Sequence, residues 1–113
     1  MIKEDDMSII SLLARSEKRV NVLKSLEKED KIPSKISKDI NDNSNHVSKY
    51  LKTLKEAGLV ICLNEQDKRY RFYRITDKGK YYLEKVENYY NDWFKKNYSK
   101  TNINHHTNIV KLI

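Results

Sequence analysis

The chain has 113 residues, which favours one domain with one core. Lysine and arginine number 23 against 16 acids, a net charge of +7 with a pI near 9.4, which fits a polyanionic partner. The single cysteine, Cys62, excludes a disulfide scaffold, two glycines and one proline disfavour an all-β fold, and no run of about 18 apolar residues exists to cross a membrane. Residues 1–7, MIKEDDM, carry acids where an export signal needs bases and an apolar stretch, so the expected location is the cytoplasm. The charge has a second explanation. Lysine, asparagine and isoleucine are all abundant, as an AT-rich genome would make them, so charge alone does not decide the partner.

In chain order, Ser8–Lys28 reads as helix. Ile9, Ile10, Leu12 and Leu13 form one apolar cluster, and Val20, Leu23 and Leu26 recur close to helical spacing. Ser16 can cap a renewed turn between them, which leaves one bent helix or two. Glu27–Lys31 is a charged loop. Pro33 suits the first turn of a helix, and Ile32, Ile36 and Ile40 mark a buried face over about Pro33–Ile40. Asn41–Ser44 favours a turn, a third helix follows from about Asn45 to Ala57, and Gly58 stands where a left-handed cap is expected. The period then changes. Leu59–Leu63 and Arg69–Ile75 read as strands of a β-hairpin around a polar tip, Asn64–Lys68. Thr76 caps a long helix to about Lys96. Residues 1–97 thus form one domain whose last helix covers about 76–97, and 98–113 form a tail, read as flexible.

Helix, short helix, turn, helix, hairpin, helix is the order of a winged helix-turn-helix, mainly α with a small β wing. On the third helix, a step of about 100° per residue puts Val47, Leu51 and Leu54 in one stripe, with Tyr50 beside it. Asn45, Lys49, Lys52 and Glu56 fall opposite, flanked by His46 and Ser48. Such a face has cations for phosphates and short polar groups for base edges, as a helix in the DNA major groove needs. An ordinary solvated amphipathic helix looks the same. Three of the five arginines, Arg69, Arg71 and Arg74, fall within six residues of the hairpin, beside Lys68. Forked cations there suit a narrow minor groove, while bases on an edge strand also discourage aggregation.

Residues 44–60, SNHVSKYLKTLKEAGLV, resemble the recognition helix of MarR/ArsR-type winged-helix transcriptional regulators. Asp67-Lys68-Arg69, followed by Ile75-Thr76-Asp77-Lys78-Gly79, is similar to their wing, and the likeness spans about Ser16–Tyr90. It implies that Ser44, Asn45, His46, Ser48, Lys49 and Lys52 face the major groove. It also implies that Arg69, with Lys68 and Arg71 beside it, reaches the minor groove and that Asp67 orients Arg69. The paired-cysteine metal box of the ArsR type has no counterpart, so no metal or cofactor is expected.

On the last helix Tyr82, Leu83, Val86, Tyr89, Tyr90, Trp93 and Phe94 make an apolar face roughly 140° wide, against about 100° for a helix that only covers its own domain. The surplus, rich in Tyr and Trp, points to a homodimer interface of Tyr82, Val86, Tyr89, Tyr90, Trp93 and Phe94. Packing of this face on the first helix within one chain is the other reading. His105-His106 reads as solvated tail, and Cys62 as a strand residue. The sequence has no phosphate loop, metalloprotease motif, carboxylate pair or nucleophile triad, so no enzyme is expected. The expected function is a sequence-specific regulator that binds double-stranded DNA as a homodimer. A winged helix used for protein contact and an RNA-binding module are the alternatives.

Overall fold

The computed structural model describes the backbone of residues 4–98 and the side chains of residues 7–88. The first helical stretch is two helices, α1 (Glu4–Ala14) and α2 (Glu17–Ser25). Ser16 breaks them. Its backbone is extended, and its hydroxyl accepts the Arg19 N–H at 3.3 Å. Arg19 Nη1 then donates to the Leu12 carbonyl at 2.8 Å, satisfying a group that the end of α1 leaves open. α3 (Pro33–Ile40) opens on its proline and closes on Asn41, a residue in the left-handed region (φ 55°).

α4 (Ser44–Glu56) starts one residue before the expected position, because Asn43 is its cap and accepts the His46 N–H at 2.8 Å. It ends as Gly58 requires. With φ at +79°, Gly58 donates to the Lys55 carbonyl at 3.0 Å, and Leu59 donates to the Leu54 carbonyl at 2.9 Å. This double bond across a left-handed glycine satisfies two terminal carbonyls and turns the chain directly into a strand.

β1 (Val60–Cys62) pairs antiparallel with β2 (Tyr73–Ile75), in the register Val60–Ile75, Ile61–Arg74, Cys62–Tyr73. The second strand is shorter than the expected Arg69–Ile75. Between the strands, side chains take over the bonds that a longer ladder would make. Asn64 accepts the Phe72 N–H at 2.7 Å and donates to the Tyr70 carbonyl at 2.7 Å. Asp67 Oδ1 accepts the N–H groups of Arg69 and Tyr70 at 2.8 and 2.9 Å. These locally bonding side chains outcompete strand pairing. Lys31 exchanges two backbone bonds with Tyr73, at 3.1 and 2.9 Å, tying the hairpin to the loop before α3.

α5 (Asp77–Tyr98) follows. The Thr76 hydroxyl accepts the Gly79 N–H at 2.9 Å and donates to the Gly58 carbonyl at 2.7 Å, so one side chain joins the end of α4 to the start of α5. One cluster forms the core, drawn from Leu13, Val20, Val22, Leu23, Leu26, Ile36, Val47, Leu51, Leu54, Leu59, Val60, Ile75, Tyr82, Leu83 and Val86. α2 lies at its centre, against α1, α3, α4 and α5.

The dimer seam needs correction at two positions. Tyr82 and Val86 are only 5% and 1% exposed within the single chain, so the first turns of α5 serve the chain's own core. The helix continues through Tyr89, Tyr90, Trp93 and Phe94, whose side chains lie outside the described residues, as does the tail with His105 and His106.

Candidate nucleic-acid interface

α4 has the two faces that its periodicity predicts. Val47, Leu51 and Leu54 are at most 1% exposed, whereas Ser44, Asn45, His46, Ser48, Lys49 and Lys52 are all exposed. The side chains of Lys49 and Lys52 have no ion-pair partner among the described residues. The polar end of α4 is anchored by Asp42. Its Oδ1 lies 2.8 Å from His46 Nδ1 and accepts the Asn43 N–H at 2.8 Å, while Oδ2 accepts from the Tyr50 hydroxyl at 3.1 Å. The His46 contact, the Asn43 N–H and the Tyr50 hydroxyl hold the Asp42 carboxyl below the usual carboxylate range. Asp42 thereby fixes the turn between α3 and α4, and with it the angle at which α4 leaves the core.

The wing folds over this helix. An open groove of about 480 Å³ separates the two, lined by Ser48, Lys52 and Lys55 of α4, Lys68, Arg69 and Arg71 of the wing, and Pro33, Leu51 and Tyr73 at its base. Five cations therefore converge on one concavity. The cations expected on the wing and the helix meet there, and Lys49 stands on the same helix outside it.

Asp67 acts on Arg69 through the backbone and not through the guanidinium. Its carboxylate accepts the N–H groups of Tyr70 and Arg69, which holds its pKa below the ordinary carboxylate range, and Arg71 Nε donates to its carbonyl at 2.8 Å. The result is a closed turn that sets the backbone from which Arg69 and Arg71 project. Arg74 has a different use. Its Nε and Nη2 bond the two carboxylate oxygens of Asp30 at 3.0 and 2.9 Å, a forked pair that clamps the wing root to the loop before α3.

Lys55 and Glu65 escaped the sequence reading. Lys55 continues the ridge of Ser48 and Lys52 at helical spacing, and that signal was available. Its hydrogen bond to Glu65 raises the pKa of Lys55 and lowers that of Glu65, so both are charged. That partnership spans ten residues and only folding brings it about. Among the described residues no group of three potential ligands could hold a metal ion, and no helix is long and apolar enough to cross a membrane.

Residues 15–92 match the winged helix-turn-helix family model. Among solved structures, the fold is similar to the transcriptional regulator BldR from Sulfolobus solfataricus (TM-score 0.70, 19% identity, 97% of this chain and 81% of that one). It is also similar to the homodimeric winged helix-turn-helix DNA-binding domain of Mb0332 from Mycobacterium bovis, described as a possible ArsR-family regulator (0.65, 18%, 81% and 84%). A third similar structure is a mutant of MepR from S. aureus bound to an oligodeoxyribonucleotide (0.62, 16%, 94% and 82%). At these identities the likeness establishes the fold, and the resemblance to MarR/ArsR-type regulators holds at that level. No curated protein matches the sequence.

Proposed function

The chain belongs to the winged helix-turn-helix family, and from that premise we propose that it is a transcriptional regulator that binds double-stranded DNA as a homodimer. The observation that carries this reading is the groove between α4 and the wing. Five cations line it, and exposed Ser44, Asn45, His46, Ser48, Lys49 and Lys52 extend it along the helix. α4 enters the major groove, where its short polar side chains meet base edges and its lysines meet phosphates. The wing lies against the adjacent minor groove, where Arg69 meets the most negative potential, with Lys68 and Arg71 on the flanking phosphates. The MepR complex with an oligodeoxyribonucleotide and the DNA-binding domain of Mb0332 support the assignment by likeness of fold.

The dimer is proposed through the distal half of α5, where Tyr89, Tyr90, Trp93 and Phe94 recur in the sequence at helical spacing. The homodimeric Mb0332 domain supports it by analogy. In a two-fold dimer the recognition helices lie about one DNA turn apart, roughly 34 Å, and read an inverted repeat.

Titration of a duplex pool with protein at several salt concentrations tests the reading. With about six phosphates neutralised per dimer, log K is expected to fall against log salt with a slope near −5. Weak binding that is flat with salt would overturn the assignment and favour protein contact. Preference for duplex RNA over duplex DNA would favour the RNA-binding alternative, which the deep, narrow A-form major groove opposes.

A further inference from the structure

The wing has two unlike faces. Strand pairing puts Val60, Cys62, Tyr73 and Ile75 on one side, toward the core and the cationic groove. The other side carries Ile61 opposite Arg74, and Leu63 beside Phe72, whose carbonyl accepts the Leu63 N–H at 2.8 Å. Tyr70 lies two residues before Phe72. Ile61, Leu63, Tyr70 and Phe72 are 44%, 42%, 58% and 43% exposed, four of the six large apolar residues that the described chain leaves in water. The one cation on this face, Arg74, is already neutralised by the forked pair with Asp30. A chain of net charge +7 has therefore gathered an apolar patch without net charge on the side of its wing that faces away from the recognition helix. Isolated exposed apolar residues are ordinary, but a contiguous group ringed by polar surface marks a contact site.

We propose that this outer wing face is a contact between two copies of the chain bound at neighbouring sites on one duplex, an inference that rests on the DNA-binding reading above. Three observations select the occupant. First, the patch is small. Four half-exposed side chains offer on the order of 300 Å² per copy, whereas a stable interface needs about 800 Å² per partner. Such a face does not hold a complex together in free solution, but it suffices where another ligand has already brought the copies close and raised their effective concentration. Second, the patch can meet itself. Two copies related by a two-fold axis present the same apolar face, and neutralised Arg74 removes the like-charge repulsion that a cationic face would bring. Third, it lies on the opposite face of the hairpin from the proposed DNA groove, so a duplex seated in that groove leaves it uncovered.

The test uses the full chain and two duplexes, one carrying a single copy of the sequence recovered by selection from a random pool. The other carries two copies, spaced in one-base-pair steps across a helical turn. Wild type is expected to fill the second site roughly tenfold more tightly than the first at one or two favourable spacings. The double variant Leu63→Asn/Phe72→Asn loses that cooperativity and keeps its single-site affinity within twofold. Tyr70→Ser, the most exposed position, acts in the same direction, and melting curves confirm that both variants fold. Sedimentation without DNA is the same for wild type and variants. Independent filling at every spacing overturns the proposal while leaving the DNA-binding reading intact. A fall in single-site affinity in the variants also overturns it, by showing that the patch touches DNA. A wild type that binds neither duplex overturns both readings.

Discussion

A Cβ placed on Gly79 would lie 2.2 Å from the Leu59 carbonyl oxygen and 2.7 Å from Ile75 Cγ1. The first turn of α5 is thus pressed onto the start of β1, and only hydrogen fits between them. Gly79→Ala is expected to cost roughly 1–3 kcal/mol, because backbone and not a flexible side chain must yield. Thermal unfolding reads this directly, and an unchanged midpoint would show that the contact is looser than described. Glu65 makes a second single-residue prediction. Its carboxylate holds Lys55, one of the five cations of the groove. A duplex phosphate that meets Lys55 must displace Glu65. Glu65→Gln is therefore expected to tighten DNA binding and to steepen the log–log salt slope by about 0.9, one additional phosphate neutralised. Equal slopes for wild type and variant would place Lys55 outside the contact.

Within α4, opposite faces carry opposite consequences. Leu51 is 1% exposed in the core, and Leu51→Ala should cost roughly 2–5 kcal/mol by opening a cavity. Lys49 and Lys52 stand in water, so their alanine variants should change stability by under about 0.5 kcal/mol while weakening DNA binding. Melting and affinity measured on the same three variants separate the faces. Equal melting losses would mean that the helix is rotated from its described position. In the wing, Arg69→Ala should weaken binding, whereas Arg74→Ala should act mainly by loosening the hairpin from the Asp30 loop. The hairpin was legible from its β-branched and aromatic runs, but the length of its ladder was not. The side chains of Asn64 and Asp67 bind backbone groups within the loop, and residue alternation carries no trace of that competition.

Across the described residues, pH acts through carboxylates at or near the surface. Asp30 is held below 3.8 chiefly by its hydrogen bond with Arg74, Asp39 by those with Lys31 and Ser25, and Asp42 by His46. Between that lowered range and the ordinary 3.8, the unfolded chain binds more protons than the folded one. Their contribution is complete above the ordinary value and is lost as pH falls below it. Glu87 runs the other way, since burial raises its pKa and protonation relieves a penalty. The carboxylates with lowered values are more numerous, so the melting temperature is expected to fall as pH drops below about 4, modestly because the pairs face water. A flat acid limb would show that these pairs are already broken in solution. Assembly is tested by sedimentation at micromolar concentration, where Trp93→Ala should convert the proposed dimer to monomer. A dimer that survives would move the interface to the first helix, around Ile9 and Ile10.

Local chemistry was readable from the sequence because each signal acts over three or four residues. Ser16 and Thr76 as caps, Pro33 opening a helix, Gly58 closing one, and the Val47–Leu51–Leu54 stripe all satisfy backbone or bury a face within their own element. The winged order and the polar face of α4 follow from those signals in series. What only the tertiary structure decided is how charges and apolar faces are shared out among elements. Folding carried Arg74 to Asp30 across 44 residues and removed it from the wing's free cations. It drew Lys55 of α4 and Glu65 of the wing together, and it buried Tyr82 and Val86 in the chain's own core, where periodicity alone would equally well have offered them to a second copy. A helical repeat states that a face is apolar. It does not state what covers that face, because the covering surface comes from residues distant in sequence that reach it only when the core closes.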